Sequence, residues 1–154
     1  MISTVSVSSV LQQMFERPVT DLLKTEPILL QPVDKLELAI ETMRERRKGC
    51  VLVVNSDKRL FGVFTERDAV IKLSVDDPSW RGWTLGDCMT PAPQTIVETT
   101  TIGEALNKMN EGRFRHIPVL DVDGRALGIV SIRDILGLVV DLYAQREGPG
   151  AAIG

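Results

Sequence analysis

Between residues 34 and 48 the apolar positions fall at Leu36, Ala39, Ile40 and Met43, a spacing of three and four that lines one face of a helix. The same spacing returns at Ile102, Ala105, Leu106 and Met109. A short apolar segment precedes each run, Ile28–Leu30 or Thr95–Val97, followed by a capping residue, Asp34 or Thr100. The helices are expected to end near Gly49 and Gly112. Beyond them, Val51–Asn55 and Ile117–Asp121 are rich in Val, Ile and Leu and read as buried strands. Turn signals follow, Asn55-Ser56-Asp57 in one place and Asp123-Gly124 in the other. Second strands are predicted over Leu60–Phe64 and Ala126–Val130, with helices opening at Thr65 and Ser131. The order β-α-β-β-α is thus written twice.

The two runs align without a gap. Val19–Asp68 placed above Leu85–Asp134 gives an offset of 66 (from Asp68 to Asp134) and 12 identities, where chance composition gives roughly three. The pairs include Met43/Met109, Arg47/Arg113, Arg59/Arg125, Gly62/Gly128 and Asp68/Asp134. Most other pairs keep their class, as in Val51/Ile117, Val63/Ile129 and Thr65/Ser131. Duplication explains this agreement. A unit of roughly 50–60 residues buries too little surface to stand alone, so the copies are expected to pack on each other. The fold class predicted is α+β, two β-α-β-β-α repeats packed through their sheets about a pseudo-two-fold axis.

The organisation expected is an N-terminal extension (1–17), a first repeat (18–73), a connector (74–84), a second repeat (85–145) and a disordered tail (146–154). Val7, Val10, Leu11 and Met14 predict a helix over Val5–Phe15 that lies on the module or on a partner. The connector Ser74–Trp83 is polar and contains Pro and Gly; Trp80 and Trp83 are expected to pack it on the body. The last helix is apolar on most sides (Ile135, Leu136, Leu138, Val139, Val140, Leu142), which points to a homodimer.

Composition narrows the function. Apolar residues make up 44% of the chain, enough for a core, and the net charge of −3 gives no general attraction for nucleic acid or an acidic membrane surface. No run of about 18 apolar residues offers a membrane span, and Met1–Val10 has no positive charge ahead of an apolar block. Cys50 and Cys88 stand apart in apolar surroundings, as buried thiols in a reducing cytoplasm would. One His and two scattered Cys do not make a tetrahedral zinc site. With one His the chain has no Ser/His/Asp set either, and an enzyme is not expected.

Two motifs carry candidate chemistry: Thr65-x-x-Asp68 and Ser131-x-x-Asp134. Each opens a helix, so capping alone accounts for it. Each also sets a carboxylate beside the free N–H groups of a first helical turn, where it can accept the hydroxyls of a diol. Basic residues precede the second strand of each copy: Arg44, Arg46, Arg47 and Lys48, then Arg113 and Arg115. They either neutralise phosphates or form a solvated helix end.

The repeats resemble the cystathionine-β-synthase (CBS) domain family. Met89-Thr90-Pro91 ahead of Thr95-Ile96, Arg115–Asp121 and Gly128–Asp134 carry the resemblance in copy two; Gly49–Val54 and Gly62–Asp68 carry it in copy one. Copy one departs at Leu52, where copy two has Pro118, and its opening Leu22-Leu23-Lys24-Thr25 lacks Met-Thr-Pro. The resemblance implies two clefts between the repeats that take AMP, ADP, ATP, S-adenosylmethionine or a dinucleotide such as NAD. By position, Asp68 and Asp134 would hold ribose hydroxyls, and Thr65 and Ser131 ribose or phosphate. Adenine would lie against Gly49, Cys50 and Val51, or against Arg115, His116 and Ile117, with Val63 and Ile129 as apolar walls. The segments Thr25–Ile28 and Pro91–Thr95 would close each cleft from the opposite repeat. His116 reads as a packed or rim residue. The function implied is a cytoplasmic sensor that binds an adenosyl ligand, needs no other cofactor and reports to a partner protein; the alternative is a ligand-free dimerisation module.

Overall fold

The computed structural model describes residues 6–147, and side chains through residue 145. Helix α1 spans Val7–Glu16; of the N-terminal helix expected from Val5, that first residue lies outside the described residues. Copy one contains β1 (Ile28–Leu30), α2 (Leu36–Arg46), β2 (Cys50–Val54), β3 (Leu60–Thr65) and α3 (Glu66–Lys72). Copy two opens with α4 (Leu85–Cys88) and β4 (Thr90–Pro91), then β5 (Ile96–Val97), α5 (Ile102–Gly112), β6 (His116–Leu120), β7 (Ala126–Ser131) and α6 (Ile132–Glu147). Helix α6 therefore continues through Arg146 and Glu147, into the expected tail, and residues 148–154 lie outside the described ones. No helix among the described residues is long and apolar enough to cross a membrane.

The strands form two sheets, β1-β2-β3-β4 and β5-β6-β7. In each, a parallel pair meets an antiparallel one, and the antiparallel register slips after Val53 in copy one and after its counterpart Val119 in copy two. The turns match as well. Asn55 Oδ1 accepts the N–H groups of Asp57 and Arg59, and Asp121 Oδ1 accepts those of Asp123 and Arg125. Arg59 and Arg125 occupy the same repeat position and bridge to each other in antiparallel fashion. Equivalent residues meet in this way where an axis relating the copies passes between them, which is the expected pseudo-two-fold.

Some details differ from the sequence reading. The helix caps lie one residue further on. Asp34 Oδ2 accepts the Gln31 N–H at 2.7 Å and Thr100 Oγ1 accepts the Val97 N–H at 3.1 Å, so each side chain closes the preceding turn instead. The N-caps are Lys35, without a side-chain bond, and Thr101, in a capping box with Glu104. Helix α5 ends at Gly112 as expected and α2 at Arg46, but the left-handed residue that closes each is an arginine, Arg47 (φ 51°) or Arg113 (φ 56°), where glycine is usual. Finally, β2 and β6 each begin one residue earlier than expected, at Cys50 and His116.

Strand alternation sorts the core into three layers. Val51, Val53 and Phe64 face α2 and pack with Leu36, Ala39 and Met43. Ile117, Val119 and Val130 face α5 and pack with Ile102, Ala105 and Met109. Leu52, Val54 and Ala126 point the other way, into the layer between the sheets, with Leu60, Val63 and Ile129. The opening segments cross over. Val19 and Leu22 are buried in the core of copy two, whereas Leu85 and Cys88 are buried in that of copy one, where Trp80 and Trp83 also pack. Each copy therefore completes the other's core, as units too small to stand alone require.

Candidate functional site

The crossing segments leave a cleft on either side of the axis. The larger, about 620 Å³, brings Gly49, Cys50, Val63, Thr65 and Asp68 of copy one against Thr90, Pro93, Arg115, His116, Pro118 and Ile129 of copy two. The smaller, about 250 Å³, brings Lys24, Thr25, Pro27 and Lys48 of copy one against Ile129, Arg133, Asp134, Leu138 and Asp141 of copy two. Ile129, on the strand nearest the axis, walls both.

Both acidic residues sit in capping boxes. Thr65 N–H donates to Asp68 Oδ2 at 3.0 Å while Asp68 N–H donates to Thr65 Oγ1 at 3.2 Å. Ser131 N–H donates to Asp134 Oδ2 at 2.8 Å and Asp134 N–H to Ser131 Oγ at 3.1 Å. Capping thus uses one carboxylate oxygen in each copy and leaves the other for different partners.

The second oxygens differ. Asp68 Oδ1 accepts the Thr90 hydroxyl at 3.2 Å and lies 3.3 Å from Lys72 Nζ, with the Asp68 side chain 15% exposed. Asp134 is exposed, and its Oδ1 has no hydrogen-bond partner among the described residues. Lys48 Nζ donates to Thr25 Oγ1 at 2.7 Å and Arg46 to the Glu26 carbonyl at 2.7 Å, which fixes the segment that brings Thr25 and Pro27 to the smaller cleft. Burial pulls the Lys48 ammonium below its usual range, with Arg46 adding to the effect, and Asp134 and Glu26 oppose it.

Two titrating groups of the larger cleft, Cys50 and His116, are shifted toward their neutral forms. Burial pushes the Cys50 thiol up to about 12, and Asp68 adds to the shift. His116 is held below its ordinary value, first by burial and then by Arg115, against the pull of Glu66 and Asp134. The raised value keeps Cys50 as a thiol rather than the nucleophilic thiolate.

Several residues expected at a site lie elsewhere. Val51 and Ile117 are fully buried and Ile28 is 2% exposed; their side chains point into the helix-facing layers, so only their backbone groups can face a ligand. Alternation explains this: Cys50 and His116 face the inter-copy side, and the next residue on each strand must face away. Thr95 lies outside both clefts, its carbonyl accepting from Lys108 Nζ at 3.2 Å. Ser131 supports Asp134 through the capping box without lining either cleft. Arg44 and Arg47 line neither cleft, whereas Arg113 and Arg115 line the larger.

Sequence reasoning missed Pro118, Phe114, Asp141, Leu138 and Lys72. Pro118 was readable two residues beyond His116 on the same strand face. Lys72 was readable four residues beyond Asp68 on a helix.

A model of the CBS domain family matches the chain twice, over residues 19–74 and 85–141. An uncharacterised 17.7 kDa protein from the bps2 3′ region of Acidianus ambivalens is 30% identical over 136 residues, covering 86% of this chain and 79% of that protein. The chain spans only 21–58% of the length of four further curated relatives. Among solved structures, the CBS-domain containing protein ATU1752 from Agrobacterium tumefaciens is 29% identical with a TM-score of 0.71, over 79% of this chain and 98% of that one. The structure of CBSX2 in complex with AMP is 23% identical with a TM-score of 0.67, over 84% and 96% of the two chains, a likeness of fold.

Proposed function

The chain belongs to the CBS domain family, and from that premise we propose that it is a regulatory module which takes an adenosine nucleotide, or a related adenosyl ligand, between its repeats. The observation that carries this reading is the state of Asp134. One of its oxygens is held by the Ser131 N–H, and the other is left for a ligand at the wall of a cleft. A ribose diol is the complement of such a carboxylate, since two hydroxyls can donate to it. Ile129 offers an aliphatic wall for a base, and Lys24, Lys48 and Arg133 supply positive charge for phosphate. The AMP in the CBSX2 structure belongs to a protein of the same fold and agrees with this chemistry.

The role is read as sensing rather than catalysis. The Cys50 thiol is pushed up to about 12 by burial, which disfavours the nucleophilic thiolate. Signalling requires only that the ligand prefer one of two arrangements of the module. A second copy of the chain is the proposed neighbour. Val70 on α3 and Leu136 on α6 share a repeat position and are 81% and 57% exposed, so related apolar surfaces stand on both helices. Both cysteines are free and buried, in keeping with a cytoplasmic setting.

A thermal-shift panel of AMP, ADP, ATP, NAD and S-adenosylmethionine tests the ligand reading. Free ligand at a hundred times its dissociation constant should add about 2.7 kcal/mol of stability, and Asp134→Asn should remove the response. No shift with any of the five at millimolar concentration overturns it. Light scattering at tens of micromolar tests the association, which a monomer refutes.

A further inference from the structure

We propose that Lys72 makes the two clefts unequal, so that an adenosyl ligand enters first at Asp134 and only weakly at Asp68. The inference rests on the ligand reading above and adds which cleft responds, and which residue decides it.

An ionised carboxylate offers roughly four acceptor positions. At Asp68 four donors already address them. Oδ2 accepts the Thr65 N–H at 3.0 Å and the Thr65 hydroxyl at 3.1 Å. Oδ1 accepts the Thr90 hydroxyl at 3.2 Å and faces the Lys72 ammonium at 3.3 Å. Lys72 is matched in turn. Its remaining protons reach the Cys88 carbonyl at 2.9 Å and Thr90 Oγ1 at 3.3 Å, so three donors meet three acceptors. The cluster ties α3 to the segment of copy two that pairs with β3. With the Asp68 side chain 15% exposed, water competes little for these bonds.

The same repeat positions in copy two hold different chemistry. Leu138 stands where copy one has Lys72, and Lys24 stands where copy two has Thr90. Leucine cannot donate, and no ion pair within 4.0 Å joins Lys24 to Asp134. A diol arriving at Asp134 displaces water. A diol arriving at Asp68 must expel a hydroxyl and a charged ammonium that would then need new partners. Hydrogen bonds to charged groups are strong enough to make this difference roughly ten- to a hundred-fold in affinity.

Calorimetric titration of the full chain with AMP provides the test. The wild-type chain should show one tight site, abolished by Asp134→Asn and retained in Asp68→Asn. Lys72→Met, which keeps the aliphatic stem, should tighten the second site by tenfold or more. The reciprocal Leu138→Lys should weaken the first by a similar factor. Two equal sites in the wild-type chain, a tight site lost in Asp68→Asn instead, or weaker total binding in Lys72→Met would each overturn this inference while leaving the ligand reading intact. No heat with AMP, ADP, ATP, NAD or S-adenosylmethionine in any variant overturns both.

Discussion

The carbonyl oxygen of Thr90 lies 2.7 Å from the point where a Cβ on Gly62 would stand. Met89 Sδ is equally near that point, so the opening segment of copy two runs directly across a strand of copy one. The counterpart Gly128 is approached only by the flexible end of Leu23, whose Cδ2 lies 2.9 Å from the corresponding point. A side chain can rotate away and a strand-paired backbone cannot. Gly62→Ala is therefore expected to cost about 1–3 kcal/mol in urea unfolding, and Gly128→Ala less than about 1 kcal/mol. Equal losses would show that β4 moves as freely as Leu23.

His116 gives the module a stability that depends on pH. Its folded value lies below the ordinary 6.5, with burial the first cause. Between the two values the unfolded chain binds more protons than the folded one, so stability is present above pH 6.5 and declines as pH falls through the window below it. Because the chain has one histidine, His116→Gln isolates the effect. Melting temperature in the wild-type chain should fall between pH 7 and pH 5.5 by more than it does in the variant. Parallel curves would place the imidazole in water.

Arg47 holds a left-handed conformation at the end of α2 and lines neither cleft. Left-handed backbone costs an ordinary residue about 1 kcal/mol relative to glycine. Arg47→Gly should accordingly raise the melting temperature by about 2–4 °C without changing AMP binding. A lower melting temperature would mean that the arginine side chain contributes more than its backbone costs.

Thr101 and Glu104 form a reciprocal capping box at the start of α5, with bonds of 3.2 and 3.1 Å. Thr101→Ala should destabilise the chain by about 1 kcal/mol. Lys35 holds the same repeat position at α2 and makes no such bond, so Lys35→Ala should leave stability nearly unchanged. Chemical denaturation of the two variants side by side separates a side-chain cap from a merely positional one.

The duplication, the β-α-β-β-α order, the buried strands and the two acidic motifs were legible in the chain. Local spacing encodes them: Leu36, Ala39, Ile40 and Met43 can share a face only on a helix, and the constant offset aligns Asp68 with Asp134. Alternation could also have turned the side chains of Val51 and Ile117 away from a cleft once Cys50 and His116 were placed in one. What spacing did not carry was which partner each side chain would find. Asp34 and Thr100 read as caps, yet each bonds to the turn before its helix, because a short polar side chain reaches either way and the chain's direction beyond it decides.

The sequence by itself determined two like halves, each with a carboxylate at the mouth of its last helix, because periodicity and capping are local properties. Only the tertiary structure decided which partners each carboxylate meets. The opening segments exchange between copies, so Asp68 meets Thr90 from the far half together with Lys72, and Asp134 meets Thr25 and Lys24 across a cleft with its second oxygen open. Contacts between residues distant along the chain depend on how two surfaces dock, and no pattern within either repeat records that.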